Sequence, residues 1–372
     1  MHPDAPEPMA EALISLQHLQ ENARLISKKA GVPLMAVVKA NAYGHGAREV
    51  SRALLAEGIE HFGVANIHEA IELRAGGSLP RPAAILSFAS PLPSQIPSYL
   101  QHGIEMTVCD PATLRAAEAA ASGTGTTIGI HLKVDTGMGR LGLPPAEALR
   151  VLQELPHCPH VELKGIYTHF ADSSGDRAFT RKQLEAFRAF SGEYEHATGR
   201  RVLKHAANSG AILSEPDAML DMVRPGILLY GCHPSSDTRE RLEVQPVMQV
   251  EARVVFLKTV TAGTTISYNR TWKAPGTRKI ATIAAGYADG YHRSLSGKAT
   301  VSINGTAYPQ IGTVTMDQIM IDLGAESDVR VGDRAVLFGW DGMRAEELAS
   351  RAGTISYELL SAVSSRVLRS LV

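Results

Sequence analysis

Cysteine is scarce in this chain of 372 residues, with only three. Cys109, Cys158 and Cys232 lie far apart and are odd in number, so they offer neither a disulfide framework nor a metal-ligand spacing, and they fit a reducing compartment. Net charge is nearly absent too, at -1. No nucleic-acid partner is therefore expected, and any bound phosphate must be gripped by local geometry. Long apolar runs are missing: none reaches membrane-spanning length, and the opening M-H-P-D-A-P-E-P has no basic segment followed by an apolar one. The expectation is a soluble, cytoplasmic protein with no membrane partner. With 44% apolar residues the chain is not disordered, and its length favours two domains.

What is present centres on A-V-V-K-A-N-A-Y-G-H-G, residues 36 to 46. Positions 34 to 38 are apolar on both faces, as in a strand buried on both sides, and Lys39 stands at its end. An ammonium there is costly unless it is paired or chemically used. A desolvated lysine loses its proton readily and becomes the nucleophilic amine that forms a Schiff base with an aldehyde. The plain alternative is a lysine whose head snorkels to water. Asn41, Tyr43, Gly44, His45 and Gly46 form a loop too specialised for that alternative.

Strand and helix patterns then alternate. Apolar or β-branched runs recur at 61–66, 83–87, 105–109, 127–135, 163–170, 204–209 and 222–231, making eight with the strand of Lys39, and alanine-rich helical segments lie between them. This predicts an α/β fold with an N-terminal (β/α)8 TIM-type barrel over residues 1–241. An open doubly wound sheet is the competitor, but no G-x-G-x-x-G follows the first strand. From residue 242 to 372 β-branched runs dominate, and Asn304-Gly305 marks a hairpin, so a mostly β C-terminal domain is expected, closed by helical segments at 344–352 and 357–370. The residues before about position 13 are expected to pack on this second domain.

In such a barrel the chemistry sits at the C-terminal ends of the strands. Arg140 follows the fifth strand, His169 ends the sixth, His205 starts the seventh, Asn208-Ser209-Gly210 follows it, and Arg224, Gly226 and Ile227 fall on the eighth. Phosphates in this fold are gripped by those last two loops. A Schiff-base lysine and a phosphate grip at one mouth together meet the requirements of pyridoxal 5'-phosphate. Each residue also has a plainer reading: His205 as a supporting residue, Asn208-Ser209-Gly210 as a helix cap, Arg224 as the partner of a buried carboxylate, Lys133 as a paired core lysine.

The segments A-V-V-K-A-N-A-Y-G-H-G, H-L-K-V-D-T-G-M-G-R-L-G, Y-T-H-F-A, A-N-S-G, V-R-P-G-I-L-L-Y-G, I-S-Y, G-Y-A-D-G and M-D-Q, in this order over nearly the whole chain, resemble the alanine racemase family. The resemblance implies a homodimer with active sites shared between subunits, pyridoxal phosphate on Lys39, and interconversion of L- and D-alanine for bacterial cell-wall peptidoglycan. It makes Lys39 and Tyr268 the two bases, Lys39 for the D-alanine proton and Tyr268 for the L-alanine proton. Tyr43, Ser209, Gly226, Ile227 and Tyr357 become the phosphate site, with His205 and Asn208 completing the cofactor-binding set. Arg224 faces the pyridine nitrogen with His169 behind it. Arg140 and Met316 contact the substrate carboxylate, Tyr287 and Tyr357 narrow the entrance, and Lys133 is carbamylated to hold Arg140. No metal is implied. Asn269 and Thr315 depart from the family's usual glycine and cysteine, and asparagine is among the residues that tolerate a positive φ.

Racemisation needs a proton removed from one face of Cα and returned to the other, which is why two bases are required. Arginine is far too strong a base to protonate a pyridine nitrogen, which discourages transamination and decarboxylation. Three rivals remain: a racemase for serine or of broad specificity, a decarboxylase needing an acid where Arg224 stands, and a non-catalytic pyridoxal-phosphate carrier.

Overall fold

A computed structural model describes residues 7 to 372. After β1 (Ala10–Ile14), eight strands follow: β2 (Met35–Val37), β3 (His61–Val64), β4 (Ala84–Ser87), β5 (Glu105–Val108), β6 (Ile128–Lys133), β7 (Val161–Tyr167), β8 (Leu203–Asn208) and β9 (Met222–Arg224). β2 to β9 pair in chain order, all parallel. A parallel bridge between Leu34 and Val223 and a hydrogen bond from Val37 N–H to Pro225 C=O (3.0 Å) join last strand to first. This is the expected barrel, and β2 is buried at every position, as its two-sided apolar pattern requires.

Helices cover the outside. Leu16–Ala30 is typical: the Ser15 hydroxyl caps its start by accepting from His18 N–H, Gly31 at φ 66° ends it, and Leu19, Ala23 and Ile26 face the core. Its buried Asn22 pairs with Gln245 in both directions and donates to Leu229 C=O, tying the helix to the end of the barrel.

Two strands stop three or more residues short of the apolar runs that predicted them. β9 ends at Arg224 because Pro225 has no N–H to continue the ladder. Gly226 and Ile227 therefore lie in the turn beyond the strand, not on it. β7 ends at Tyr167, so His169 lies two residues past it, after Thr168, whose carbonyl turns to Arg224. Register shifts interrupt the pairing at Ile130/His131 and at His205/Asn208.

The second domain is built on β10 (Met248–Val260), a strand of 13 residues that pairs antiparallel with Arg278–Ile283 and Arg334–Phe338. β1 joins this sheet, not the barrel, with Ala10 opposite Ala252 and Ile14 opposite Met248. Residues 1–6 lie outside the described residues. The hairpin at Asn304-Gly305 is present, with both residues at positive φ, 50° and 78°. One expectation fails: helix does not run over 357–370. A helix ends at Ser361, and Leu368–Leu371 is a strand parallel to β1. The backbone groups on the free edge of β1 need a partner, and that tertiary demand overrides the local pattern.

Candidate active site

A cavity of about 510 Å³ opens at the C-terminal ends of the barrel strands. Its wall brings together Lys39, Tyr43, Lys133, Arg140, His169, Asn208, Ser209, Arg224, Gly226, Ile227 and Tyr357. Of the residues singled out in the sequence, Tyr268, Tyr287 and Met316 are not in this wall. They sit on the C-terminal domain, 68%, 42% and 52% exposed. His205 is fully buried and lies behind Arg224.

Lys39 opens a turn in which Ala40, Asn41, Ala42 and Tyr43 are all left-handed, with φ between 52° and 54°. L-residues adopt this hand at a cost, so the turn must be held from outside. Glu69 accepts from Ala40 N–H (2.8 Å) and Ala65 N–H (2.7 Å), Asn41 Oδ1 accepts from Ala47 N–H (2.8 Å), and Arg369 donates to Gly44 C=O (3.1 Å). Burial and the charge of Arg140 lower the Lys39 pKa, with Glu69 opposing them. The amine is thereby readied as a nucleophile.

At the other end of the cavity, Ser209 Oγ accepts from Gly226 N–H (3.0 Å) and Leu228 N–H (3.3 Å). Asn208 caps the helix Ser209–Ser214 by accepting from Ala211 N–H, and it also accepts from Ser173. The ring of Tyr43 packs on Tyr230 and Tyr357, and burial keeps its hydroxyl protonated, able to donate. Its hydroxyl leaves no room for a side chain on Gly226, where a Cβ would lie 2.4 Å away.

Arg224 is buried with no carboxylate partner among the described residues. Its Nη1 donates to His205 Nδ1 (2.9 Å), its Nη2 to the carbonyls of Thr168 (2.7 Å) and Ala206 (3.0 Å). Burial brings its pKa down to about 10, so it stays cationic at neutral pH. His169 Nδ1 is 3.5 Å from Nη2; the close support is His205. Burial and the neighbouring Arg224 hold both imidazoles neutral. Lys133 is not the paired core lysine of the plain reading. Its Nζ finds no hydrogen-bond partner among the described residues and sits 4.5 Å over the Tyr167 ring, and burial with Arg224 and Arg140 nearby pushes its pKa far down.

On the C-terminal domain, residues 312–316 hold the other three predicted residues together. Thr313 Oγ1 donates to Tyr268 C=O (2.9 Å), Ser267 Oγ donates to Thr313 C=O (2.6 Å), and Tyr287 N–H donates to Thr315 C=O (3.1 Å). Asn269 adopts φ 61°, the conformation its residue type tolerates, and Thr315 hydrogen-bonds Gln318 within its own turn.

The chain matches the model of the alanine racemase N-terminal domain over residues 14–234 and that of the C-terminal domain over 247–371. It is 58% identical to an alanine racemase of Chlorobaculum tepidum, over all of this chain and 97% of that one. The chain belongs to the alanine racemase family. An alanine racemase of Treponema denticola is 40% identical, over 96% of this chain and 97% of the other. The solved alanine racemase of Clostridium difficile 630 superposes with a TM-score of 0.93 at 34% identity, covering 99% of this chain and 97% of that one.

Alanine racemases use pyridoxal 5'-phosphate, and the cavity fits it. A lysine of lowered pKa stands at one side, a glycine whose missing Cβ admits the Tyr43 hydroxyl stands at the other, and the buried Arg224, with no carboxylate partner among the described residues, lies between. Gly226→Ala forces Tyr43 to move, an overpacking of about 1–3 kcal/mol. It is expected to raise the cofactor dissociation constant about tenfold in a fluorescence titration of the cofactor-free enzyme. Unchanged affinity would show that the contact between Tyr43 and Gly226 takes no part in holding the cofactor.

Sequence reading passed over Glu69, Tyr167 and Tyr230. Tyr230 lies inside a quoted motif, and its hydroxyl donates to Val37 C=O next to the Lys39 turn (2.9 Å). Glu69 carries no local signal, since its two amide partners come from β2's end and β3's end.

Proposed function

We infer that the chain interconverts L-alanine and D-alanine with pyridoxal 5'-phosphate, supplying D-alanine for bacterial peptidoglycan. The observation that carries this reading is Arg224, a buried cation without a carboxylate partner among the described residues, which shares a cavity with a lysine of lowered pKa. When bound, the cofactor takes up the amino group through its aldehyde and withdraws electron density from Cα–H, acidifying it.

Lys39 Nζ takes or returns a proton on one face of Cα, the D-alanine side, and the Tyr268 phenol does so on the other. Arg224 keeps its protons at neutral pH, so it would leave a pyridine nitrogen placed beside it unprotonated, which would restrain side reactions. The absence of an acidic group at Arg224 counts against a decarboxylase. Tyr43, Ser209, Gly226, Ile227 and Tyr357 grip the phosphate, with Asn208 shaping the loop and His205 acting through Arg224. Arg140 and Met316 hold the substrate carboxylate. Lys133 suits carbamylation, because a neutral amine adds carbon dioxide and the resulting anion would answer both arginines around it. Tyr268, Tyr287 and Met316, exposed on one loop cluster, support a homodimer in which each C-terminal domain completes the partner's barrel mouth. The working boundary between the two domains is 241/242. Three free, buried cysteines support a cytoplasmic location; among the described residues no helix is long and apolar enough to cross a membrane.

Racemisation assays on a panel of L-amino acids, with and without added cofactor, test the reading. Alanine should lead, serine should trail by ~1–3 kcal/mol in kcat/KM, and lysine and arginine should be poor substrates because Tyr287, Met316 and Tyr357 confine the entrance. Comparable kcat/KM for lysine and alanine would instead establish a broad-specificity racemase.

A further inference from the structure

Barrels of this kind are ordinarily filled with branched apolar side chains, yet a polar column leads from the cavity into this one. Arg224 Nη1 lies 2.9 Å from His205 Nδ1, His205 Nε2 lies 3.0 Å from His131 Nδ1, and His131 Nε2 lies 3.0 Å from Glu105 Oε2. Arg224, His205 and His131 are all buried. Glu105 is the first residue of β5, so it stands at the face of the barrel opposite the cavity.

The two ends dictate the middle. A guanidinium only donates and an ionised carboxylate only accepts. His205 Nδ1 must therefore accept, which leaves its proton on Nε2; His131 Nδ1 must accept in turn, which leaves its proton on Nε2 for Glu105. No other neutral assignment satisfies all three contacts. The surroundings are shaped to hold the column. Both register shifts in these strand pairs fall at its histidines, Ile130/His131 and His205/Asn208, and such bulges re-aim side chains. A Cβ on Gly165 would sit 2.7 Å from His131 Nδ1. Tyr167 lies flat on His205, 4.8 Å between ring centres at 8°, with its hydroxyl fixed by Thr107 (2.8 Å), which donates onward to Ser87 C=O. Burial pushes the Glu105 carboxyl up, but His131, His61 and Lys164 more than offset it, and the group lies below its ordinary value, ionised.

We propose that Glu105, on the far face of the barrel, is a positioning residue for the reaction: through His131 it fixes the tautomer in which His205 turns a lone pair to Arg224. The inference rests on the assignment of Arg224 to the cofactor ring. Without an acceptor at position 105, His131 can carry its proton on Nδ1. His205 must then place an N–H against Arg224, and two donors meet at a contact of 2.9 Å, loosening the guanidinium.

Histidine-selective 15N labelling of the holoenzyme reads the tautomers directly. In the unmodified protein both His205 and His131 should be Nε2-protonated, and Glu105→Gln, which keeps an acceptor, should preserve that pattern. Glu105→Leu should abolish the single tautomer at both rings and lower kcat about tenfold with little change in KM, the scale on which partners behind a functional group act, while Glu105→Gln retains kcat. If Glu105→Leu folds poorly, Glu105→Met removes the acceptor with a more adaptable side chain and is read the same way. Nδ1-protonated rings in the unmodified protein, or tautomers unmoved by either apolar variant, would overturn the column. Altered tautomers with unchanged kcat would overturn the positioning role. The tautomer result does not depend on what Arg224 faces, which the Arg224→Glu variant reads separately.

Discussion

Mixing subunits that carry Lys39→Ala with subunits that carry Tyr268→Phe is expected to restore about a quarter of the unmodified activity, from preparations each reduced by ~10²–10⁴-fold. The losses follow from the two-face problem: removing either base leaves one face of Cα without a proton carrier. The recovery follows from geometry. Within one chain, Tyr268 is 68% exposed on the C-terminal domain and is absent from the cavity wall that holds Lys39. If a two-fold dimer brings each tyrosine to its partner's cavity, a mixed dimer has one site with both lesions and one with neither. Random pairing makes about half of the dimers mixed, and half of their sites intact. If both bases belonged to one chain, every site would carry a lesion, and verified subunit exchange would recover nothing.

Arg224→Glu should change both the product spectrum and the stability of the enzyme. A carboxyl group opposite the ring nitrogen can share a proton with it where a guanidinium cannot, so a new long-wavelength absorbance band and a transamination by-product are expected, with slower racemisation. The fold pays as well, because the new carboxylate would face the carbonyls of Thr168 and Ala206, acceptors that now receive from Nη2. Exchanging a satisfied buried cation for a mismatched anion costs about 3–5 kcal/mol, visible as a lower melting temperature. A folded variant with neither new band nor by-product would refute the electronic role of Arg224.

The barrel was legible because its signals are local and repeated: apolar strands of a few residues with alanine-rich helical segments between them. The hairpin at Asn304-Gly305 was legible for the same reason. The end of β7 was not, because it is set by where Thr168 turns its carbonyl, to Arg224; the end of β9 was passed over although Pro225 marks it in the sequence. The strand at 368–371 was missed because its partner, β1, lies at the other end of the chain. In the site, Lys39, Ser209 and Arg224 announced themselves by residue type at strand ends. Glu69 acts only through contacts made in three dimensions, and His131, although it opens the segment H-L-K-V-D-T-G-M-G-R-L-G, meets His205 and Glu105 only in the folded barrel.

The left-handed turn after Lys39 has a consequence for transplantation. Four successive L-residues in that hand cost about 1–2 kcal/mol each, and no glycine among residues 40–43 relieves the strain. The conformation is imposed by Glu69, 29 positions from Ala40, and by Arg369, 325 positions from Gly44. Residues 36 to 46, for all that they look like a self-contained cassette, are therefore not portable. Grafted onto another strand end without those two anchors, the same letters relax to the right-handed form, and the lysine points away from whatever phosphate grip the host provides.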